Sequence, residues 1–297
     1  MKSLRIFTAV WGEKHIGWFE KFCLTSLCWK KNKDALEGAT WMFLTKEENI
    51  ERLSKLVKDS GIKVANVEFL ILDKEFDRNP HAAGHYMLHG FLAVMNHCLT
   101  YGSQLLIAPP DTIFGDGSIH NMREIAKVRD SVVFAIHTRV LPSIDVKASQ
   151  LSNAYLVKEA WACLHKTWEE AEDGREKINS YVGGISWSYL DENLYSVCHA
   201  LPTPYLINFV PEDAVYFRNQ IHFGVLDHSW PGDVLVDSER MRVIGSSDAA
   251  FMVEVTEPDQ NIPPLEYYRA DEPDRFWRTL KHNKINKMYR VILRGEA

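Results

Sequence analysis

Apolar and polar positions alternate along this chain in blocks of two different periods. Leu4 to Val10 alternates and is rich in β-formers, which predicts a first strand. Trp41 to Leu44 and Val67 to Leu72 predict a second and a third. Between them, His15 to Lys30 sets Ile16, Phe19, Phe22, Cys23, Leu27 and Cys28 at helical spacing. Glu47 to Ser60 reads as an amphipathic helix, with Gly61 where a C-terminal cap belongs. A longer helix is predicted over 82–100, with Tyr86, Met87, Leu88, Phe91, Leu92, Val94 and Met95 facing the core, and Gly102 closes it. Leu105 to Ala108 is a short apolar run of the kind that forms a fully buried strand, and Val132 to Ile136 is a fifth strand. Alternating strand and helix over the first 140 residues predicts a mostly parallel sheet flanked by helices.

After Arg139 the rhythm changes. A helix rich in Trp and Ala is predicted over 150–172, a loop over 174–184 and an extended segment over 201–210. Met241 to Val255 reads as strand, turn and strand around Gly245-Ser-Ser-Asp. From Glu257 the chain is charged and carries four prolines, and 275–290 fits one helix. The expected class is α/β with an irregular α+β C-terminal part: a main domain over 1–256, divided near 140, and a charged helical tail over 257–297. The tail either packs on the core or mediates self-association, so a homo-oligomer is one expectation. No internal repeat or low-complexity tract is present.

Composition narrows the function classes. With 297 residues, 46% hydrophobic and 25% charged, the chain has the make-up of an ordinary globular enzyme. A formal charge of -6 argues against general affinity for nucleic acid or anionic membranes, which both rest on basic surface. Five cysteines without a CxxC pair point to reduced thiols, and the opening Met-Lys-Ser-Leu-Arg-Ile lacks an apolar signal region, so a cytoplasmic location is expected. No apolar run approaches the ~20 residues that span a bilayer.

The candidate chemistry centres on Leu105 to Ser118. Pro109 and Pro110 stop the strand at once, since neither donates a ladder hydrogen bond. Asp111 is thereby set just past the carboxyl end of a strand expected to be central, where open α/β sheets bind ligands. The plainer role for Asp111 is a turn residue capping the next helix, and Asp116-Gly117-Ser118 reads as an ordinary turn with Ser118 as N-cap. His85 and His89 share one helical face, with His81 four residues earlier. That spacing suits a zinc pair, but no HExxH pattern or thiolate accompanies it, so a structural zinc site is not expected. Trp11 either stacks on a flat ligand ring or joins the core. Arg139 suits an oxyanion or an ion pair with a neighbouring acid. Gly183-Gly184 with Trp187 and Tyr189 suggests an acceptor platform or a packed loop. Asp227 and His228, before Pro231-Gly232, suit a ligand-and-base pair or plain surface polarity. His165 and His199, with apolar neighbours, read as core histidines.

These residues resemble a GT-A-type, Rossmann-related, nucleotide-sugar glycosyltransferase, in particular little-characterised bacterial and phage proteins of that group. Phe7-Thr-Ala-Val-Trp-Gly12 resembles the opening strand on which the nucleoside docks, and Phe43-Leu-Thr45 the end of the second strand. Leu105 to Asp111 stands where that group carries its Asp-x-Asp metal motif, and the likeness extends over about residues 4–256. It implies a donor site at Thr8, Val10, Trp11, Gly12, Thr45, His85, His89 and Arg139. Asp111 would hold Mn²⁺ or Mg²⁺ on the diphosphate, with His222 or His228 as further ligand. Asp227 and His228 would complete the catalytic set, and Gly184 and Trp187 the acceptor side. A UDP-sugar is the first donor expected. The motif departs from the pattern, because Pro109 replaces the first aspartate. A non-catalytic nucleotide- or glycan-binding relative is therefore one alternative and a nucleotidyltransferase another. The second lacks its Gly-rich loop here.

Overall fold

A computed structural model describes residues 2–72, 76, 83–128, 130–135, 137–146, 152–165, 178–179, 185–191, 193–199, 203–220, 230–235, 238–259, 267–268 and 289–295. The strands in chain order are β1 (Leu4–Ala9), β2 (Thr40–Thr45), β3 (Asn66–Ile71), β4 (Gln104–Ile107), β5 (Thr112–Phe114), β6 (Val132–Ala135) and β7 (His137–Val140). They continue as β8 (Ile178–Asn179), β9 (Ile185–Asp191), β10 (Leu194–His199), β11 (Thr203–Ile207), β12 (Met241–Val243), β13 (Met252–Val255), β14 (Tyr267–Tyr268) and β15 (Tyr289–Arg294).

The central sheet has seven strands in the order β12-β6-β11-β4-β1-β2-β3, which makes β4 its middle strand. Only β11 runs against its neighbours. Numbered within the sheet from the N-terminus, the order is 7-5-6-4-1-2-3, with the sixth strand antiparallel. The expected fifth strand, β6, is therefore not beside β4: β11 inserts between them.

Successive residues of each central strand enter opposite cores. Ile6, Trp41, Phe43, Leu106 and Val133 face one side, packed by Ile16 and Phe19, by Leu53 and Val57 of the helix Ile50–Ser60, and by Ile119 and Met122 of the helix Ser118–Ile125. Phe7, Met42, Leu105, Ile107 and Phe134 face the other, against Leu88, Phe91, Val94 and Met95 of the helix Ala83–Tyr101 and Phe217 of the helix Pro211–Arg218. A sheet covered on both faces explains why its strands read as apolar runs rather than strict alternations. The mixed α/β class with a mostly parallel, helix-flanked sheet is as the sequence predicts.

Away from the central sheet, β7 pairs parallel with β13, which also pairs antiparallel with β5. The strands β9, β10 and β15 form an antiparallel sheet. A third core gathers Ile113, Leu156, Val157, Val197, Phe251, Val253 and Leu293 from these elements and from the helix Asn153–Ala162. So the strands flanking the Gly245 turn join different sheets. The end of the predicted C-terminal helix, Tyr289–Arg290, begins a strand, and 269–288 lie outside the described residues. Likewise 166–172 of the predicted Trp-rich helix lie outside them.

The first predicted helix is not continuous. Glu13–Trp18 is α-helical, Phe19–Leu24 widens to π-helical bonding, and Thr25–Leu27 returns to α. Trp29 is then extended, and a separate helix runs Lys30–Ala35. The cause lies far along the chain. Asp116 Oδ1 accepts the backbone N–H groups of Lys31 and Asn32 and so caps that second helix. The fully buried Asn32 donates to the carbonyls of Ser26, Phe114 and Gly115 and accepts from the N–H groups of Gly117 and Ile119. Asp116 is therefore a structural cap. Gly117, at φ 87°, is the N-cap of the helix Ser118–Ile125, not Ser118. The Ser118 hydroxyl lies instead against Phe251, accepting its N–H at 3.0 Å. Asn32→Ala strands several buried groups at once, each worth about 1–3 kcal/mol when left unpaired. A loss of about 3 kcal/mol or more in urea unfolding is expected, and a loss under about 1 kcal/mol would contradict this account.

Candidate active site

The chain leaves β1 toward β2 on one side, and after β3 it returns to place β4 on the other side of β1. The carboxyl ends of β1 and β4 thus flank a topological switch point, where open α/β sheets hold ligands in a crevice. Two loops meet there. One is Val10-Trp11-Gly12, with Gly12 at φ 75° turning the chain into the helix Glu13–Trp18. The other is Ala108 to Asp111. The Thr8 hydroxyl joins them, donating to the Ala108 carbonyl at 2.9 Å and accepting from Trp41 Nε1 at 3.0 Å.

Asp111 lines a hollow of about 450 Å³ together with Lys14, His15, Trp18, Glu254, Val255, Glu257 and Asp259. Its backbone carbonyl accepts the Val255 N–H at 2.8 Å, which fixes the turn against β13. Glu254 stands opposite Arg139 in β7 and opposite Thr112 in β5. One Glu254 oxygen lies 2.8 Å from His137 Nε2 and the other 3.1 Å from Arg139 Nε. Burial works against the Glu254 charge, but the neighbouring His137 and Arg139, with the Thr256 hydroxyl, outweigh it and hold the carboxyl down at about 2. Asp111 goes the other way. Burial first, then the charge of Glu254, lift its carboxyl to about 7. The two neighbouring carboxyls are thus driven apart, Asp111 toward its neutral form and Glu254 toward its charged one. Burial first, then the charge of Lys14, push the His15 ring below its usual value, and the Lys14 ammonium lies 2.8 Å from Glu257 and over the Trp18 ring.

The other expected residues are placed as follows. Thr8, Val10 and Thr45 are buried, with Val10 N–H bonded to the Leu44 carbonyl and the Thr45 hydroxyl accepting from Asn49. They shape the strand ends and offer no side chain to a donor. Trp11 packs edge-on against Phe76 in the layer that holds the helix Ala83–Tyr101 and is not among the residues lining the Asp111 hollow. Arg139 is not at the end of a central strand, since β6 stops at Ala135 and β7 leaves the main sheet. Its guanidinium is spent on Glu254, the ion pair that the plainer reading foresaw. His165 is buried, as expected, with Nε2 3.0 Å from the Glu257 carbonyl. His85 and His89 line a different hollow, of about 580 Å³, against the other layer of the sheet, and no residue lines both hollows. Asp227, His228, His222, His81, Gly183 and Gly184 lie outside the described residues, as do the side chains of Trp187, Tyr189 and His199, whose backbones run in β9 and β10. Sequence reasoning missed Glu254, His137, Lys14, His15 and Trp18. For the last three, the position one turn after the first strand was an available signal.

Among the described residues no three His, Cys, Asp or Glu side chains converge as a metal cage. A hard cation carried on phosphates needs only one or two carboxylates from the protein, and Asp111 is a carboxylate on the lining of this hollow. No helix among the described residues is long and apolar enough to cross a membrane.

No protein-family model matches the sequence, and no curated protein matches it significantly. Solved structures do align with the chain. GalNAc-T7 with UDP, GalNAc and Mn²⁺ does so at 9% identity over 95% of this chain and 48% of its own, with a TM-score of 0.46. TarS from S. aureus aligns at 9% identity over 95% of this chain and 64% of its own, with a TM-score of 0.43. An inositol-1-phosphate CTP transferase from T. maritima aligns at 9% identity over 96% of this chain and 97% of its own, with a TM-score of 0.40. The chain thus spans about half to two thirds of the first two. Identities of 9% and scores below 0.5 leave the functional reading to the geometry of the crevice.

Proposed function

We propose that this chain is a GT-A-like glycosyltransferase, moving a sugar from a nucleotide-diphosphate donor to an acceptor hydroxyl. The observation that carries the reading is the β1/β4 crevice with the Asp111 carboxyl on its wall. In this reading the nucleoside lies against the Val10–Gly12 loop and the diphosphate points toward Asp111. Ionised Asp111 would hold Mn²⁺ or Mg²⁺ there. The cation, when bound, neutralises charge on the departing nucleoside diphosphate. Glu254 is clamped on both oxygens, so it sets the field at Asp111 rather than serving as a ligand. His15, whose cationic form is disfavoured by burial, offers a ring nitrogen to the proton of the acceptor hydroxyl. Lys14, paired with Glu257, closes the rim.

Calorimetry with UDP-, GDP- and CDP-sugars, with and without Mn²⁺, tests this. Metal-dependent binding of one donor with slow donor hydrolysis is expected. Binding without hydrolysis in any metal makes the chain a binding module, and no binding at all removes the reading.

A further inference from the structure

The His85–His89 pair belongs to neither the crevice nor the core. Both side chains are exposed on the helix Ala83–Tyr101, one turn apart. Their Nε2 atoms are 2.9 Å from each other, with the rings crossed at 72°. Beside them opens the hollow lined by Leu44, Leu70, Leu72, Tyr86 and Ala93 at the carboxyl ends of β2 and β3. Such a contact needs one ring to give its proton to the other. The same spacing has a second use. Two metal–nitrogen bonds of about 2.05 Å meeting at a right angle put their nitrogens about 2.9 Å apart. Right-angle nitrogen ligation suits Ni²⁺ and Cu²⁺, and imidazole is a ligand for both as well as for Zn²⁺.

We propose that His85 and His89 form a two-imidazole site for a borderline divalent transition metal, with its remaining positions open to water or ligand on the hollow side. In the metal-bound form the ring that now donates carries its proton on Nδ1 instead, so that both Nε2 atoms present lone pairs to the metal. The site differs in kind from the crevice, where a carboxylate oxygen favours hard cations. It is independent of the donor reading and survives or fails without it.

Titration calorimetry of the untagged full-length chain with NiCl₂, and with MgCl₂ in parallel, tests the site. One Ni²⁺ per chain and no comparable Mg²⁺ binding are expected. His85→Ala and His89→Ala should each weaken Ni²⁺ at least about tenfold, the low end of what even an outer partner of a metal ligand costs. Asp111→Asn should leave it unchanged. Ni²⁺ binding that persists in both histidine variants, or is lost with Asp111→Asn, overturns the proposal, as does absence of Ni²⁺ binding.

Discussion

Asp111→Asn should lower kcat for sugar transfer or donor hydrolysis by about 10²–10³-fold, the cost of removing one electrostatic stabiliser of a developing charge. The amide keeps the shape of the side chain but cannot carry the negative charge that faces the diphosphate. Stability should move the other way. Burial and Glu254 already disfavour the charged carboxyl, lifting it to about 7. At pH 8 the native chain therefore bears a carboxylate that it holds less comfortably than the unfolded chain does. Replacing it with a neutral amide should be neutral or stabilising in a melt at that pH, the usual trade at functional positions. The same shift sets a pH limb. Wild-type turnover should fall as the pH drops below about 7, because protonation discharges Asp111. In Glu254→Gln the limb should move to lower pH, since one of the charges raising Asp111 is gone. Turnover of Asp111→Asn within twofold of wild type, or a wild-type profile flat from pH 8 to 5, would remove Asp111 from the chemistry.

The part of this site visible in the sequence is the part made by short-range rules. The strand Leu-Leu-Ile-Ala closed by two prolines announces both a buried β4 and an acid just beyond it. Strands β1 to β3 were equally legible from their apolar runs. What stayed hidden depends on distant residues. Glu254 looks like an ordinary outward-facing acid of a strand until β13 brings it to His137 and Arg139, over 110 residues earlier. Arg139 was misplaced because nothing local shows that the run from Val132 to Val140 changes sheets after Ala135. The break in the first helix was invisible for the same reason, since Asp116 and the carbonyls that hold Asn32 arrive more than 80 residues later. In β9, Ile-Ser-Trp-Ser-Tyr carries a clear period of two, but the Gly-Gly pair before it drew the reading toward a loop. Insertion of β11 between β4 and β6 is a matter of topology, which periodicity does not encode.

The edge of the sheet opposite the crevice should carry the largest single stability effect. Asp213 is wholly buried, and Arg240 meets it with two nitrogens at 2.9 and 2.7 Å. The same carboxylate accepts from Trp230 Nε1 at 3.1 Å and from the Val210 N–H at 3.0 Å. Arg240 also donates to the carbonyls of Asp130 and Asn208, so one guanidinium joins the entry to β6, the exit of β11 and the start of β12. Asp213→Ala leaves that guanidinium largely buried without its counter-charge, and breaking such a pair costs about 3–5 kcal/mol. The expected result is an unfolding free energy in urea titration lowered by that amount, with donor affinity of the folded fraction unchanged, because the crevice is at the other end of the strands. Replacing both partners, as Asp213→Leu with Arg240→Met, removes the stranded charge. It should recover only part of the loss, since Trp230 Nε1 and the Val210 N–H would still lack an acceptor. Full recovery in that pair would mean the charge alone was at stake, and a single-variant loss below about 1 kcal/mol would mean that water reaches Arg240 and replaces the carboxylate.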